Sequence, residues 1–255
     1  MDFLTMTNKE ILRVAIRQSA VDMSCSPDDF SASENVVTES RPSEGARKYL
    51  KLPFACELVS YGGNIVAAVS GEFSGYVREY IANMSPESAF TPPEIFRFNE
   101  FLKEYGLSVK RVNEYFLPDL SKLRRMPCNY TLKLLAPPDF KALYLPEWSN
   151  ALCKKRKHLD MIAVGAYDGE KLAGLAGASA DCETMWQIGV DVLPEYRRRG
   201  IAAALTSALT LELMRMGKIP FYCADPSNVK SVKTAVQCGY VPTWLEMTVD
   251  KIGKR

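Results

Sequence analysis

Val190-Asp191-Val192-Leu193-Pro194-Glu195-Tyr196-Arg197-Arg198-Arg199-Gly200-Ile201-Ala202 is the stretch that decides the fold of this chain. Its apolar start reads as the end of a strand, Pro194 stops that strand, and Gly200 opens an Ala/Leu-rich run that closes at Gly217. The prediction is a strand, a tight turn and a helix N-terminus. The first turn of a helix leaves backbone N–H groups without acceptors inside the helix, and the helix dipole adds partial positive charge there. A phosphate at that end is held by main-chain donors, and glycine lets the backbone approach it with no Cβ in the way. Arg197, Arg198 and Arg199 add charge and forked donors that match phosphate oxygens.

Downstream lies a second constellation, Asn228-Val229-Lys230-Ser231 followed by Gly239-Tyr240. Asn228 suits a helix N-cap and Gly239 a C-terminal stop, which brackets a short helix from Val229 to Cys238. In this order and spacing the two stretches resemble motifs A and B of the GNAT N-acetyltransferase superfamily. Motif A is a (Gln/Arg)-x-x-Gly-x-(Gly/Ala) loop that grips the pyrophosphate of acetyl-CoA, and Arg197, Gly200 and Ala202 fall on its three defining positions. Pro194-Glu195-Tyr196 before the loop and Ile201 after it match what the superfamily carries.

The resemblance implies acetyl-CoA as cosubstrate and no metal. It implies backbone contacts to the pantetheine arm from Val190, Asp191 and Val192, and a phosphate cradle of Arg197, Arg198, Arg199, Gly200, Ile201 and Ala202. From motif B it adds Asn228 and Ser231. The implied reaction moves an acetyl group directly to a primary amine, with no covalent enzyme intermediate. Family acceptors range from small molecules to protein N-termini and lysines, so the acceptor stays open. GNAT domains often pair, which allows a homodimer.

The elements around the motifs follow the GNAT order. Tyr130 to Leu135 reads as a strand, Asp139 to Lys157 as mostly helical, and Met161–Tyr167 with Lys171–Ala180 as a hairpin closed by Asp168-Gly169. Met185 to Val192 is the strand that enters the loop. In the helix after Gly200, Ile201, Leu205, Ala208, Leu209, Leu213 and Met216 share one face and are expected in the core. The fold class expected is α/β with a mixed sheet, a GNAT acyltransferase fold in residues 128–255. Residues 1–127 are expected to form an α+β accessory domain or a degenerate GNAT-like half. There, Asn8 to Met23 and Glu94 to Tyr105 read as helices, Phe54 to Ser70 as a hairpin, and Cys25 to Gly45 as a long loop.

Bulk properties narrow the function classes. Apolar residues are 47% and charged residues 24% of 255, an ordinary globular composition. Thirty-two Lys and Arg against 30 Asp and Glu give +2, too balanced for a protein whose main partner is nucleic acid. No apolar run reaches a membrane span, so no membrane partner is expected. Seven scattered cysteines without a Cys-x-x-Cys spacing point to a reducing cytoplasm rather than to disulfides or zinc.

One departure from the family concerns chemistry. Many members carry a motif B tyrosine that protonates the departing thiolate, and Ala235 stands at that position here. Family bases sit on the strand before motif A, where this chain has Trp186. The carboxylates nearby are Asp181, Glu183 and Asp191, which share parity if the strand is regular, and Glu183 and Asp191 are the catalytic candidates. The alternative is a non-catalytic acyl-CoA-binding or regulatory module.

Overall fold

A computed structural model describes residues 6–252. In chain order the first elements are Asn8–Asp22 (α1), Val36–Glu39 (β1), Cys56–Ser60 (β2), Val66–Val69 (β3), Ser74–Ile81 (α2), Pro86–Ala89 (α3) and Pro92–Lys103 (α4). Then come Leu107–Pro118 (β4), Thr131–Leu135 (β5), Asp160–Asp168 (β6), Lys171–Ser179 (β7) and Met185–Val192 (β8). Ile201–Arg215 (α5), Ile219–Ala224 (β9), Val229–Gln237 (α6) and Tyr240–Lys251 (β10) complete the chain. It divides into two compact units, neither contiguous in sequence. One holds the chain up to Leu12, Phe116–Cys223 and Asn228–Pro242; the other holds Arg13–Tyr115, Ala224–Ser227 and the chain from Thr243 on.

The unit that carries both motifs is built on strands in the order β9-β8-β7-β6-β5. Strands β5 to β8 pair antiparallel, while β8 and β9 are parallel. The Asp-Gly hairpin forms as expected: Asp168 pairs with Lys171, and Gly169 takes the left-handed φ of 59° that the turn requires. Helix α5 covers one face. Of its expected stripe, Ile201, Leu205, Leu209 and Leu213 are buried and Ala208 is half-buried, but Met216 lies past the last helical residue and is exposed. Burial extends well beyond that stripe, to Ala203, Ala204, Thr206, Ser207, Thr210 and Met214. Of its polar members, Ser207 donates to the Ala204 carbonyl and Thr210 to the Thr206 carbonyl, with the Tyr240 hydroxyl 2.7 Å from that of Thr210, while the Thr206 hydroxyl has no partner among the described residues.

Asp139 to Lys157, expected to be mostly helical, is instead three 3₁₀ turns, Pro137–Phe140, Pro146–Trp148 and Lys154–Leu159. Pro137, Pro138 and Pro146 lack the N–H a longer helix would need, and backbone donors of Asn150 and Ala151 are drawn to a strand carboxylate instead. Phe140, Trp148, Ala151 and Leu152 pack on Ala163 and Leu175, which closes the second face of the sheet.

The other unit orders its strands β1-β3-β2-β10-β4. The expected hairpin is β2 with β3, in register from Cys56↔Val69 to Val59↔Val66. The stretch from Cys25 to Gly45 is more ordered than a loop. It holds a 3₁₀ turn capped reciprocally by Ser26 and Asp29, then β1, parallel to β3. Asn35 ties it down, accepting from the Ile65 N–H and donating to the Ile81 and Met84 carbonyls. One sheet face buries an apolar core that includes Leu58, Ala67, Val77, Phe98 and Leu102.

On the other face the register sets Glu57 opposite Thr248 and Glu246 opposite Val59. Arg47, fully buried, donates to Asp22 and Glu246 at 2.5 Å each, and Trp244 donates to the same Glu246 oxygen. Glu57 is less well served. One of its oxygens accepts from Thr248 at 3.0 Å and the other has no partner. Burial, with the Glu246 charge adding to it, holds the Glu57 carboxyl well above the usual carboxylate range.

Removing one member of a buried ion cluster strands the others' charge. Arg47→Ala is therefore expected to cost about 3–5 kcal/mol in urea unfolding. Glu57→Gln has the opposite sign. The unfolded chain releases this proton near 4.5 while the folded chain keeps it, so the native carboxyl costs stability as pH rises above that value. The variant should match the wild type near pH 4 and exceed it at pH 7. A constant difference across that range would contradict the assignment.

Candidate active site

The parallel pairing of β8 and β9 is short. It covers Met185↔Ile219, Trp186↔Pro220 and Gln187↔Phe221, although β8 runs on to Val192 and β9 to Ala224. Beyond Gln187 the two strands splay. On its other edge β8 stays paired with β7, through Ala176↔Val190, Leu175↔Asp191 and Gly174↔Val192. Val190, Asp191 and Val192 thus carry one hydrogen-bonded edge and one edge that opens into the cleft with β9.

The splay leads to the helix start. Pro194–Tyr196 forms a single 3₁₀ turn, Arg198 takes φ 63°, and Gly200 takes φ 76° as the residue preceding α5. The first bond of α5 runs from the Ala204 N–H to the Gly200 carbonyl. The N–H groups of Ile201, Ala202 and Ala203 therefore have no acceptor inside the helix and point out of its end. The α5 N-terminus lies beside a cavity of about 450 Å³ whose lining includes Gly200 and Ala203.

The arginines are not equivalent. Arg197 donates through Nε to the Val192 carbonyl at 3.1 Å, which ties the loop to the strand it leaves. Arg199 donates to the Tyr130 hydroxyl at 2.8 Å and lies over the Tyr196 ring, whose own hydroxyl donates to Asp168 at 3.0 Å. Arg198 is exposed, and its backbone takes the left-handed conformation.

In motif B, Asn228 caps α6, its side-chain oxygen accepting from the Ser231 N–H at 3.3 Å. The Ser231 hydroxyl is 2.7 Å from that of Tyr222, the first β9 residue past the last rung with β8. Burial raises the Tyr222 pKa above the usual phenol value and keeps the group protonated. Ala235 is fully buried against the body of the unit.

The strand parity expected for the carboxylates fails, because β8 begins at Met185 and both Asp181 and Glu183 lie in the turn before it. Glu183 is exposed and stands on the order of 25 Å along the chain from Asp191, at ~3.3 Å per residue. The structure does not bring the two catalytic candidates together. Asp191 has other duties. Its oxygens accept from the Asn150 N–H at 2.8 Å, the Ala151 N–H at 2.9 Å and the Asn150 amide at 2.6 Å. Gly189 and Gly177, paired across β7 and β8, let that loop lie directly on the sheet. A Cβ on Gly189 would come within 1.9 Å of the Asn150 carbonyl oxygen, and one on Gly177 within 2.0 Å of that of Ala151. Sequence reasoning missed this contact, although a glycine inside each of two neighbouring strands is the signal for close backbone approach.

A mixed sheet with a splayed parallel pair and a glycine-led helix start defines an α/β acyltransferase architecture. The family model described as GNAT acetyltransferase matches residues 97–243, more than half of the chain, and the chain belongs to that family. It is a transferase of acyl groups, in a family that uses acyl-CoA. Solved structures are similar to it at low identity. A GCN5-related N-acetyltransferase from Kribbella flavida is 16% identical with TM-score 0.49, over 61% of this chain and 63% of that one. One from Sphaerobacter thermophilus is 15% identical with TM-score 0.48, over 74% and 73%. A GCN5-related N-acetyltransferase-like protein from Streptococcus suis is 19% identical with TM-score 0.45, over 62% and 68%. No curated protein matches the chain.

The glycine contact generates a test. Gly189→Ala must displace the Asn150–Ala151 backbone and is expected to cost about 1–3 kcal/mol in urea unfolding. Gly63→Ala, where an added Cβ meets nothing within 4 Å, should stay within about 0.5 kcal/mol of the wild type. Equal effects would mean the loop does not rest on β8.

Proposed function

We propose that this chain transfers acetyl from acetyl-CoA to a primary amine, with the acetyl-CoA held in the cleft between β8 and β9. What carries the reading is the place where the splay opens: the unpaired edge of β8 leads directly to the Gly200 helix start. In this reading the main chain of Val190, Asp191 and Val192 pairs with the pantetheine amides. The N–H groups of Ile201, Ala202 and Ala203 take the pyrophosphate. Arg198 is the arginine that reaches it, while Arg197 and Arg199 shape the loop. Asn228 and Ser231 act by building the α6 start at the mouth of the cleft.

The acceptor nitrogen attacks the thioester carbonyl, a C–N bond forms and the C–S bond breaks. Holding both reactants in one geometry supplies much of the rate. The leaving thiolate needs a proton, and we assign its supply to Tyr222, whose hydroxyl stands on Ser231 beside the opening, in place of the tyrosine that Ala235 replaces. The proton that the acceptor nitrogen sheds on becoming an amide passes to water, from which Tyr222 is reprotonated. Asp191 is a positioning residue that fixes the Asn150–Ala151 turn over β8, rather than the base. The acceptor class stays at primary amines, small-molecule or protein. The scatter of the seven cysteines along the sequence supports placing this chain in a reducing cytoplasm.

The test is release of the CoA thiol from acetyl-CoA in the presence of polyamines, amino-acid amides and peptides with free N-termini or lysines, with the product's mass recorded. Amine-dependent release is expected with at least one class, and its absence with all of them would overturn the amine reading. Tyr222→Phe should lower kcat by about 10²-fold with unchanged acetyl-CoA affinity, the range of a lost general acid.

A further inference from the structure

We propose that the acceptor of this acyltransferase is an acidic peptide, held by a basic rim of Lys154, Lys155 and Lys157. The inference rests on the acetyl-CoA reading above and names the class of amine which that reading leaves open. Side chains alternate along β8, so Gln187, Gly189 and Asp191 face one side of the sheet and Ile188, Val190 and Val192 the other. Helix α5 covers the second side, where a Cβ on Gly174, the partner of Val192, would meet Ile201 and Leu205. Across the splay, Cys223 accepts from the Gln187 amide at 2.9 Å and so shares the first side. Tyr222 faces the second, against Ser231 of α6. With the thiolate's proton supplied from the helix side, the acceptor amine arrives on the first side, which the Asn150–Ala151 turn overlies.

That turn runs on into Lys154-Lys155-Arg156-Lys157-His158, a basic segment that belongs to neither motif. Two buried carboxylates fix it from beneath. Asp160 accepts from the Cys153 N–H and from the Tyr144 hydroxyl, each at 3.0 Å, and Asp181 stands 3.8 Å from Arg156. Lys157 lies over the Tyr144 ring, 4.6 Å from its centre. Lys154, Lys155 and Lys157 are exposed and have no carboxylate partner among the described residues. The exposed acids of the adjoining loops, Glu147 and Glu183, leave the rim positive, and Lys218 adds a further cation, donating to the Glu183 carbonyl at 2.8 Å. Strand pairing sets the distance from the rim to the reacting atoms. Gln187 pairs with Ser179 on β7, and Ser179 with Asp160 at the start of β6. The same Gln187 makes the last rung with β9, where the unpaired edge ends and the thioester end of the arm would stop. Two strand spacings therefore put the Asp160 anchor on the order of 10 Å from the thioester, and the lysines ride on the loop that this anchor closes. A compact amine does not reach so far, whereas three or four extended residues of a peptide do. Acidic side chains on those residues complement the rim and set the peptide's register.

The experiment follows acetylation of three peptides that share a free N-terminal serine and differ only at the third to sixth positions, which are all glutamate, all glutamine or all lysine. The wild type is expected to favour the glutamate peptide over the glutamine one by about tenfold in kcat/KM, the difference lying in KM, and to use the lysine peptide least. Several exposed ion pairs of modest strength combine to that size, and high salt should erase most of the preference. In Lys154→Glu/Lys155→Glu/Lys157→Glu the order should invert, the lysine peptide becoming the best of the three. Inversion is a gain that a misfolded variant cannot give, and calorimetric titration with acetyl-CoA shows whether its donor site is intact. The wild-type series and its salt dependence stand without the variant. Equal use of the three peptides by the wild type, or an order that the triple substitution leaves unchanged, would overturn this inference. Acetylation of small amines but of none of the peptides would also overturn it and leave the amine reading standing. Acetylation of no amine at all would overturn both.

Discussion

Past Gln187, strand β8 has a hydrogen-bonding partner on one edge only. This edge is half-buried, from Gly189 to Val192, and backbone N–H and C=O groups there gain no protein partner for the water they lose. The rest of the motif-bearing unit is arranged around that edge. Helix α5 begins beyond the unpaired end of β8, with its own unpaired N–H groups at the same end. Asp191 anchors the Asn150–Ala151 turn across one face of β8, while Val192, level with Gly174, faces α5 on the other. The edge is kept open by construction on both faces, and a ligand with amides in its arm and phosphates at its end fits both sets of orphan donors.

Small residues are what permit this construction. At Gly177 and Gly189 a loop backbone comes closer to the sheet than any Cβ would allow. A Cβ on Gly174 would lie 2.9 Å from the Ile201 side chain and 3.0 Å from that of Leu205. The sheet is thinned on both faces around β7 and β8, so the elements carrying donors sit close to the cleft. The other unit follows a different logic, with a buried arginine neutralised by two carboxylates and a third carboxyl kept protonated by burial. Among the described residues of that unit, no glycine-led helix follows a strand.

What was legible in the sequence follows from how local each signal is. The loop from Val190 to Ala202, the Asp168-Gly169 hairpin, and the Asn228 and Gly239 helix limits are set by residues adjacent in sequence, and each is found where expected. Asp139 to Lys157 misled because its apolar residues suit a helix, while its prolines and the pull of Asp191 on Asn150 decide otherwise. Order in the Cys25–Gly45 stretch comes from Asn35, whose partners lie some thirty to fifty residues away. The site divides the same way. The phosphate-loop residues could be read from spacing, but not which arginine is engaged with Val192 and which with Tyr130. Tyr222 belongs to no local pattern and becomes visible only when the strands and α6 are assembled.

The most direct measurement is a thermal melt with and without acetyl-CoA, on the wild type and on Gly200→Asp. Aspartate tolerates the left-handed backbone and caps a helix, so the variant keeps its fold while setting a carboxylate where the pyrophosphate would lie. At about a hundred times its Kd, acetyl-CoA should add roughly 2.7 kcal/mol to the wild type. The same ligand should add little or nothing to the variant. A folded wild type that gains no stability from acetyl-CoA, or a variant that gains just as much, would contradict the account.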